Sequence, residues 1–212
     1  MYKYTLKRII DVILASMLII FFLPICLIVA IIIKIDSKGP IFADVPERVG
    51  GDGKLFRMYK FRSMIANAHF ILRNSTQFKD LYQEYKRSSF KLKKDPRITR
   101  IGKFIRRHSL DEIPQLINVL KGDMSIVGPR AYYPDELVDQ QKKYPHTKIL
   151  VKKVLSVKPG ITGLWQTSGR SEINFDKRIA IDAQYVKYMS FVHDIFIIAK
   201  TPWAMVSGRG AV

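Results

Sequence analysis

The sequence predicts an α+β, mostly helical fold for a monotopic membrane protein: an N-terminal re-entrant helix bent at a proline, a small β-hairpin and interfacial amphipathic helices. Three observations predict it. Val12 to Ile33 is almost uninterrupted apolar sequence, Gly50-Gly51-Asp52-Gly53 separates two short apolar runs, and much of the rest sets basic and apolar residues at helical spacing. A chain of 212 residues is long enough for one domain with a core and an appendage. Residues 1–36 read as the anchor and 37–212 as the remainder of that single domain.

As a helix, Val12 to Ile33 is about 33 Å long, enough to match a hydrocarbon core of about 30 Å. No small-x-small cleavage site precedes Lys34, which argues against a cleaved signal peptide. Lys3, Lys7 and Arg8 precede the run while Lys34 and Lys38 follow it, so positive-inside logic puts both ends in the cytoplasm. Pro24 removes a backbone bond to Ile20 near the middle of the run. The two halves, about 18 Å and about 15 Å, are each long enough to reach the midplane and return. A re-entrant helix-break-helix fits these facts; a proline-kinked spanning helix is the alternative.

The balance of 36 Lys and Arg against 18 Asp and Glu gives a net charge of +18, which calls for a polyanion or an anionic surface nearby. With an apolar anchor attached, anionic lipid headgroups are favoured over nucleic acid. Cys26 is the only cysteine, so disulfides within the chain and Cys-based zinc sites are excluded. His69, His108, His146 and His193 show no metal-ligand spacing.

Along the chain, Ile41-Phe42 and Leu55 to Phe61 flank the glycine-rich turn and predict the hairpin. The Lys-rich stretch from about Asn74 to Lys94 reads as helix with a variable end. Arg97, Arg100, Lys103 and Arg106 recur every third residue among Ile98, Ile101, Phe104 and Ile105, a basic amphipathic helix. Another helix covers Ile113 to Leu120. Pro159-Gly160-Ile161-Thr162-Gly163 opens a loop carrying Trp165, Gln166, Gly169 and Arg170, a mixture suited to a nucleotide, although a turn with a packed tryptophan explains it as well. From Phe175 to Val206 the chain is helical, with Tyr185, Tyr188, Phe191, Phe196 and Trp203 at the membrane interface or in the core.

Asp111 and Glu112 sit inside a run of cations, with Arg106 and Arg107 before them and Lys121 and Arg130 after. Placed where a helix begins, they gain from its macrodipole and are suited to act as nucleophile or metal ligand, and Arg106 and Arg130 can fork onto phosphate oxygens. Equally, Ser109-x-x-Glu112 is a capping box that needs no catalytic role. Pro114 argues partly against that cap, because with Ser109 as N-cap it becomes the fifth helical residue and deletes the bond to the Leu110 carbonyl. On the residues alone the two readings stand level.

Several long motifs in order resemble the bacterial sugar transferase family, the monotopic phosphoglycosyl transferases. They are Lys7-Arg8 with Asp11, Gly39-Pro40, Glu47-Arg48-Val49-Gly50, Lys60-Phe61-Arg62-Ser63-Met64, Ser109 to Gln115, Asn118 to Arg130 and Pro159 to Arg170. The resemblance covers nearly the whole chain and implies transfer of a sugar 1-phosphate from a UDP-sugar to polyprenyl (undecaprenyl) phosphate, with release of UMP. It implies Asp111 as nucleophile in a ping-pong scheme, Glu112 as ligand of Mg²⁺, Arg106, Arg130 and Lys60 as phosphate-binding residues, and Gly163, Gln166, Arg170, Asp182 and Asp194 at nucleotide-sugar positions. It further implies the cytoplasmic face of the bacterial inner membrane, and surface polysaccharide, exopolysaccharide or lipopolysaccharide synthesis. Residues 37–212 become the catalytic portion, and the chain resembles the minimal catalytic form. A homodimer through exposed helices is compatible with the pattern. Departures from the usual motifs are Leu23 before Pro24, Pro46 before Glu47 and Ala131 after Arg130. The competing class is a membrane-anchored basic module that binds anionic lipid or nucleic acid without chemistry. Against it, a carboxylate pair within the basic stripe repels phosphate unless a cation bridges them.

Overall fold

The computed structural model describes residues 5–88, 90, 92, 94–168 and 173–206, with the side chains of 205 and 206 excepted. Its first element, α1 (Lys7–Asp36), is the apolar run extended at both ends, and it carries Pro24 inside an uninterrupted helix. The expected helix-break-helix is thus a single element with the proline inside it and not two separate helices. A single missing amide removes one bond, and the turns on either side propagate past it.

One stripe of α1 meets the rest of the molecule. Near its start Lys7, Asp11 and Ala15 are buried, near its end Val29 and Ile33, and the intervening apolar residues such as Ile20, Phe21, Leu27 and Ile28 are bare. Asp11 fixes the first half: it accepts from the Ser125 hydroxyl at 2.7 Å and the Ile126 amide at 3.0 Å. Lys7 adds an ion pair to Asp194 at 2.5 Å. At the other end Val29 and Ile33 pack on Phe61 and Ile105.

The hairpin forms as β1 (Arg48–Val49) and β2 (Leu55–Phe56), antiparallel, with Arg48 opposite Phe56. Asp52 and Gly53 take φ of +55° and +76° in the turn between them, the conformation its glycine-rich sequence favours. Ile41-Phe42 does not make an arm of that tight hairpin. It pairs farther out, Phe42 bridging to Phe61, with Arg62 N–H donating to the Ile41 carbonyl at 2.8 Å.

The Lys-rich stretch from about Asn74 holds α3 (Lys79–Arg87), and α2 (Ala68–Asn74) precedes it. Next, α4 (Arg100–Arg107) is capped by Thr99, whose hydroxyl accepts from the Gly102 amide at 2.9 Å. Gly102 packs on backbone: a Cβ there would lie 1.9 Å from the Ser63 carbonyl oxygen. Arg97 falls outside this helix and corrects the expected basic stripe. It is buried, chelating Asp95 through Nε at 2.8 Å and Nη2 at 2.5 Å.

After α5 (Gln115–Lys121) comes a second sheet that the sequence pattern does not predict. β3 (Ser125–Val127) and β4 (Gly160–Thr162) pair in parallel, Ser125 opposite Gly160. The crossover between them holds α6 (Pro134–Lys143) and α7 (Lys148–Val154). Strands of three residues carry too little alternation to be read as such. The chain ends in α8 (Leu164–Thr167), α9 (Phe175–Tyr188) and α10 (Phe191–Val206). Tyr185 is wholly buried and bonds the Val127 carbonyl at 3.1 Å, so it belongs to the core, whereas Phe191, Phe196 and Trp203 are exposed as interfacial residues would be. The main core joins Phe56, Met58, Val119, Met124, Tyr185 and Ile197 to Ala15 of α1.

Arg62, itself buried, closes the C-terminal end of α1. It donates to the carbonyls of Ile33 at 3.5 Å, Ser37 at 2.7 Å, Lys38 at 3.1 Å and Pro40 at 2.5 Å, and to the Ser37 hydroxyl at 2.8 Å. Ile33, which also accepts from the Ser37 amide, lies in the last turn of α1, and the other carbonyls belong to the chain that leaves it. Arg62→Ala is expected to destabilise the protein by about 3 kcal/mol, since several carbonyls lose a charged donor at once. Thermal unfolding in detergent checks this, and Arg62→Lys should recover only part of the loss.

Candidate active site

The site begins where α4 stops. Ser109 takes φ +55° and turns the chain into one 3-10 turn, Leu110 to Glu112, ahead of Pro114 and α5. Ser109 makes no side-chain cap, so the expected capping box does not form. Nor do the carboxylates open an α-helix. They stand one turn before it, and Pro114 occupies the N-cap position of α5, where its missing donor costs nothing.

What holds Asp111 is the segment Lys60-Phe61. The Phe61 amide donates to the Asp111 carbonyl at 2.9 Å, and Lys60 Nζ lies 2.9 Å from Asp111 Oδ2 and 3.4 Å from Glu112 Oε1. Asp111 is only 2% exposed, whereas the Glu112 side chain is 40% exposed. Burial works against the Lys60 ammonium, but Asp111 and Glu112 outweigh both burial and the repulsion of Arg106, so its pKa is raised. A cation shared by two carboxylates keeps the pair in place without an additional charge.

Lys60, Arg106, Asp111, Glu112, Arg130 and Gln166 all line one cleft of about 300 Å³, so the sequence candidates from four separate motifs meet. Arg130 follows β3, its guanidinium 5.4 Å from the Trp165 ring and 3.8 Å from Glu136. Burial disfavours its charge, yet Glu136 and the neighbouring tyrosines raise its pKa. Behind it Glu136 pairs with wholly buried Arg178 at 2.6 Å, an ion pair that no sequence signal marked.

The remaining candidates divide. Asp182 lies behind the cleft wall and accepts from the Arg130 amide at 3.2 Å and the Tyr132 hydroxyl at 2.8 Å, so it holds the strand end that carries Arg130. Asp194 lies at the start of α1, bonded to Lys7 and to the Tyr185 hydroxyl at 2.8 Å. Gly163 has a packing reason: a Cβ would meet the Gly128 carbonyl oxygen at 2.1 Å, just as one on Gly160 would meet the Gly128 nitrogen at 2.0 Å. Arg170 lies outside the described residues, and Pro24 sits within α1, away from the cleft. Sequence reasoning passed over His69 and Tyr133 in the cleft lining; neither belongs to a motif with chemical spacing.

Among the described residues no group of three or more His, Cys, Asp or Glu side chains is placed to hold a metal. Asp111 and Glu112 do suit Mg²⁺ in its usual phosphate-site form, one or two carboxylates completed by substrate phosphate and water.

The sequence model described as bacterial sugar transferase matches residues 2–208. The chain belongs to the bacterial sugar transferase family. Within that family it is 42% identical over 206 residues to the undecaprenyl-phosphate galactose phosphotransferase of Salmonella typhimurium, covering 97% of this chain and 41% of that protein. It is 36% identical over 205 residues to the UDP-glucose:undecaprenyl-phosphate glucose-1-phosphate transferase of Escherichia coli, covering 92% of this chain and 39% of that protein. With the exopolysaccharide production protein ExoY of Rhizobium meliloti it shares 37% identity over 206 residues, covering 97% of this chain and 87% of that protein. The chain thus spans about two-fifths of the length of the first two.

Burial pushes the Asp182 carboxyl up to about 7, against the opposing bonds from Tyr132 and Arg130. With a folded pKa above the unfolded one, the folded state holds the extra proton between about pH 4 and 7, so this group's contribution to stability falls as pH rises through that window. Asp182→Asn removes that contribution. Melting temperatures at pH 5 and pH 8 should show the wild type gaining on the variant at the lower pH.

Proposed function

We propose that this chain transfers a sugar 1-phosphate from a UDP-sugar to polyprenyl phosphate at the cytoplasmic face of the bacterial inner membrane. The observation that carries it is the buried Asp111 carboxylate, held by Lys60 at 2.9 Å in a cleft shared with Arg106 and Arg130. The printed name of the Escherichia coli relative describes that donor class and acceptor.

In the first half-reaction an Asp111 oxygen attacks the sugar-bearing phosphorus. The bond from that phosphorus to the bridging oxygen breaks, and UMP leaves with the electron pair. In the second, an oxygen of the lipid phosphate attacks the same phosphorus and displaces the Asp111 carboxylate, giving a polyprenyl diphospho-sugar. Lys60, Arg106 and Arg130 receive the phosphate charge, and Lys60 moves from the carboxylates to the phosphoryl oxygens as the substrate enters. Mg²⁺, when bound at Glu112, supplies further neutralisation of the diphosphate. Gln166 and Trp165 hold the nucleotide end.

A covalent scheme suits these two substrates. A soluble nucleotide and a long lipid cannot share one deep pocket easily, and a phospho-sugar held on Asp111 lets them come in turn. The anchor serves the same end. What supports a re-entrant α1, with both ends on one side, is that one body touches both of its flanks: β3 and α10 meet its start, Phe61 and α4 meet its end. A helix crossing the bilayer has its two ends on opposite faces, where one body does not reach both.

Asp111→Asn should abolish UMP release from the preferred UDP-sugar, with unchanged melting; a variant keeping one-tenth of the activity excludes Asp111 as nucleophile. Wild type given donor alone should trap a sugar-phosphate adduct, absent in Asp111→Asn. Its absence from wild type during turnover would favour direct attack by lipid phosphate in a ternary complex.

Cysteines at Thr5 and Lys38, in a Cys26→Ala background, should both resist an impermeant thiol reagent applied from outside intact cells. Labelling of one alone establishes a spanning helix.

A further inference from the structure

The cleft extends beyond the carboxylates into a second compartment walled by the hairpin, α2 and α3. His69, Tyr85, Tyr133, Arg48 and Phe90 line it. Its framework is rigid: the Arg48 guanidinium lies 3.3 Å over the Tyr133 ring and donates to the Ala131 carbonyl at 3.0 Å. Tyr85 packs edge-on against Phe90 at 5.2 Å between ring centroids, and His69 faces Tyr133 at 6.1 Å. The first turn of α2, which carries His69, is fixed by Arg97, which donates to the Ala68 carbonyl at 2.8 Å.

This compartment holds polar groups. The His69 imidazole and the Tyr85 ring both line the cleft, and beside them the buried Nε of Arg48 has no hydrogen-bond partner among the described residues. The Arg48 Nε is buried, where a polar group normally finds a partner, whereas the His69 ring and the Tyr85 side chain line the cleft and are available to a ligand. Burial, aided by Arg48, Arg97, Arg73 and Lys60, lowers the His69 pKa to about 3. The ring is therefore neutral and offers one donor and one acceptor, the combination that a hydroxyl matches and a phosphate does not. A charged imidazole here would compete with Lys60 and Arg106 for the diphosphate.

We propose that His69 and Tyr85 form the subsite that recognises the hydroxyls of the transferred sugar, with the Tyr133 and Phe90 rings as its apolar walls. The inference rests on the transferase reading above. Within that reading, position decides between the two uncharged ends of the donor. Lys60, which grips Asp111, lines the same cleft as His69. The compartment therefore adjoins the attacked phosphorus, and the group attached to that phosphorus is the sugar; the uridine is one phosphate farther away. Neutral hydrogen-bonding groups on an aromatic wall are the usual furniture of such pockets.

The test compares wild type with His69→Phe and Tyr85→Phe, the latter removing a single oxygen from an otherwise unchanged ring. The readouts are kcat/KM for UMP release from UDP-glucose, UDP-galactose and UDP-N-acetylglucosamine with undecaprenyl phosphate, and inhibition by UMP. Losing one hydrogen bond to the sugar should lower kcat/KM for the preferred donor about tenfold. The ratio between donors should shift by at least about threefold, with UMP inhibition unchanged. A loss uniform across the three donors, or no loss in either variant, overturns the subsite while leaving the transferase reading in place. A uniform loss with weaker UMP inhibition assigns the compartment to the nucleoside. Wild-type protein that releases UMP from none of the donors overturns the transferase reading and the subsite together.

Discussion

The three residues Lys60, Phe61 and Arg62 join the chemistry to the anchor. Lys60 grips both carboxylates, the Phe61 amide holds the Asp111 backbone at 2.9 Å, and Arg62 ties down the last turn of α1. The Phe61 ring shares one buried cluster with Ile33 of α1 and Ile105 of α4. A displacement of α1 along its axis is therefore felt at Asp111 through adjacent peptide units, with no flexible linker between. Packed contacts of this kind transmit displacement because protein interiors are dense and hard to compress.

Two of the buried ion pairs serve different purposes. At Asp111 the cation is shared and the cleft is open, so the ion pair can exchange partners when phosphate arrives. At Glu136 and Arg178 both side chains are wholly buried, and breaking such a pair by removing one member leaves an uncompensated charge. The first pair is built for rearrangement and the second for permanence. Arg130 lies between them, its amide held by Asp182 and its guanidinium near Glu136, which gives a phosphate-facing residue a fixed root.

The sequence was informative where a feature is long or chemically marked. The apolar run, the glycine turn, the helix before the carboxylates and the meeting of Lys60, Arg106, Asp111, Glu112 and Arg130 were all legible. The parallel pair of three-residue strands was not, because Ser125-Ile126-Val127 and Gly160-Ile161-Thr162 have no period long enough to detect. Arg97 was misplaced because its spacing continued a helical stripe that its own bidentate bond to Asp95 interrupts. Ser109 resembled a cap by composition, but its left-handed backbone cannot serve as one. Asp182 and Asp194 stood out as acids in a helical stretch; only three-dimensional contacts reveal that they support Arg130 and α1 from behind.

The glycines behind the cleft bear on how such a site can diversify. Side chains at Gly128, Gly160 or Gly163 would run into neighbouring backbone at 2.6, 2.0 and 2.1 Å, so these three positions, where the parallel strands and the turn after them meet, admit no side chain. That floor is closed to evolutionary adjustment. The wall made by α2, α3, Phe90 and Leu92 is built from side chains and can be resculpted residue by residue. Descendants of one ancestral sequence could acquire new substrate preferences there while inheriting the reaction centre unchanged.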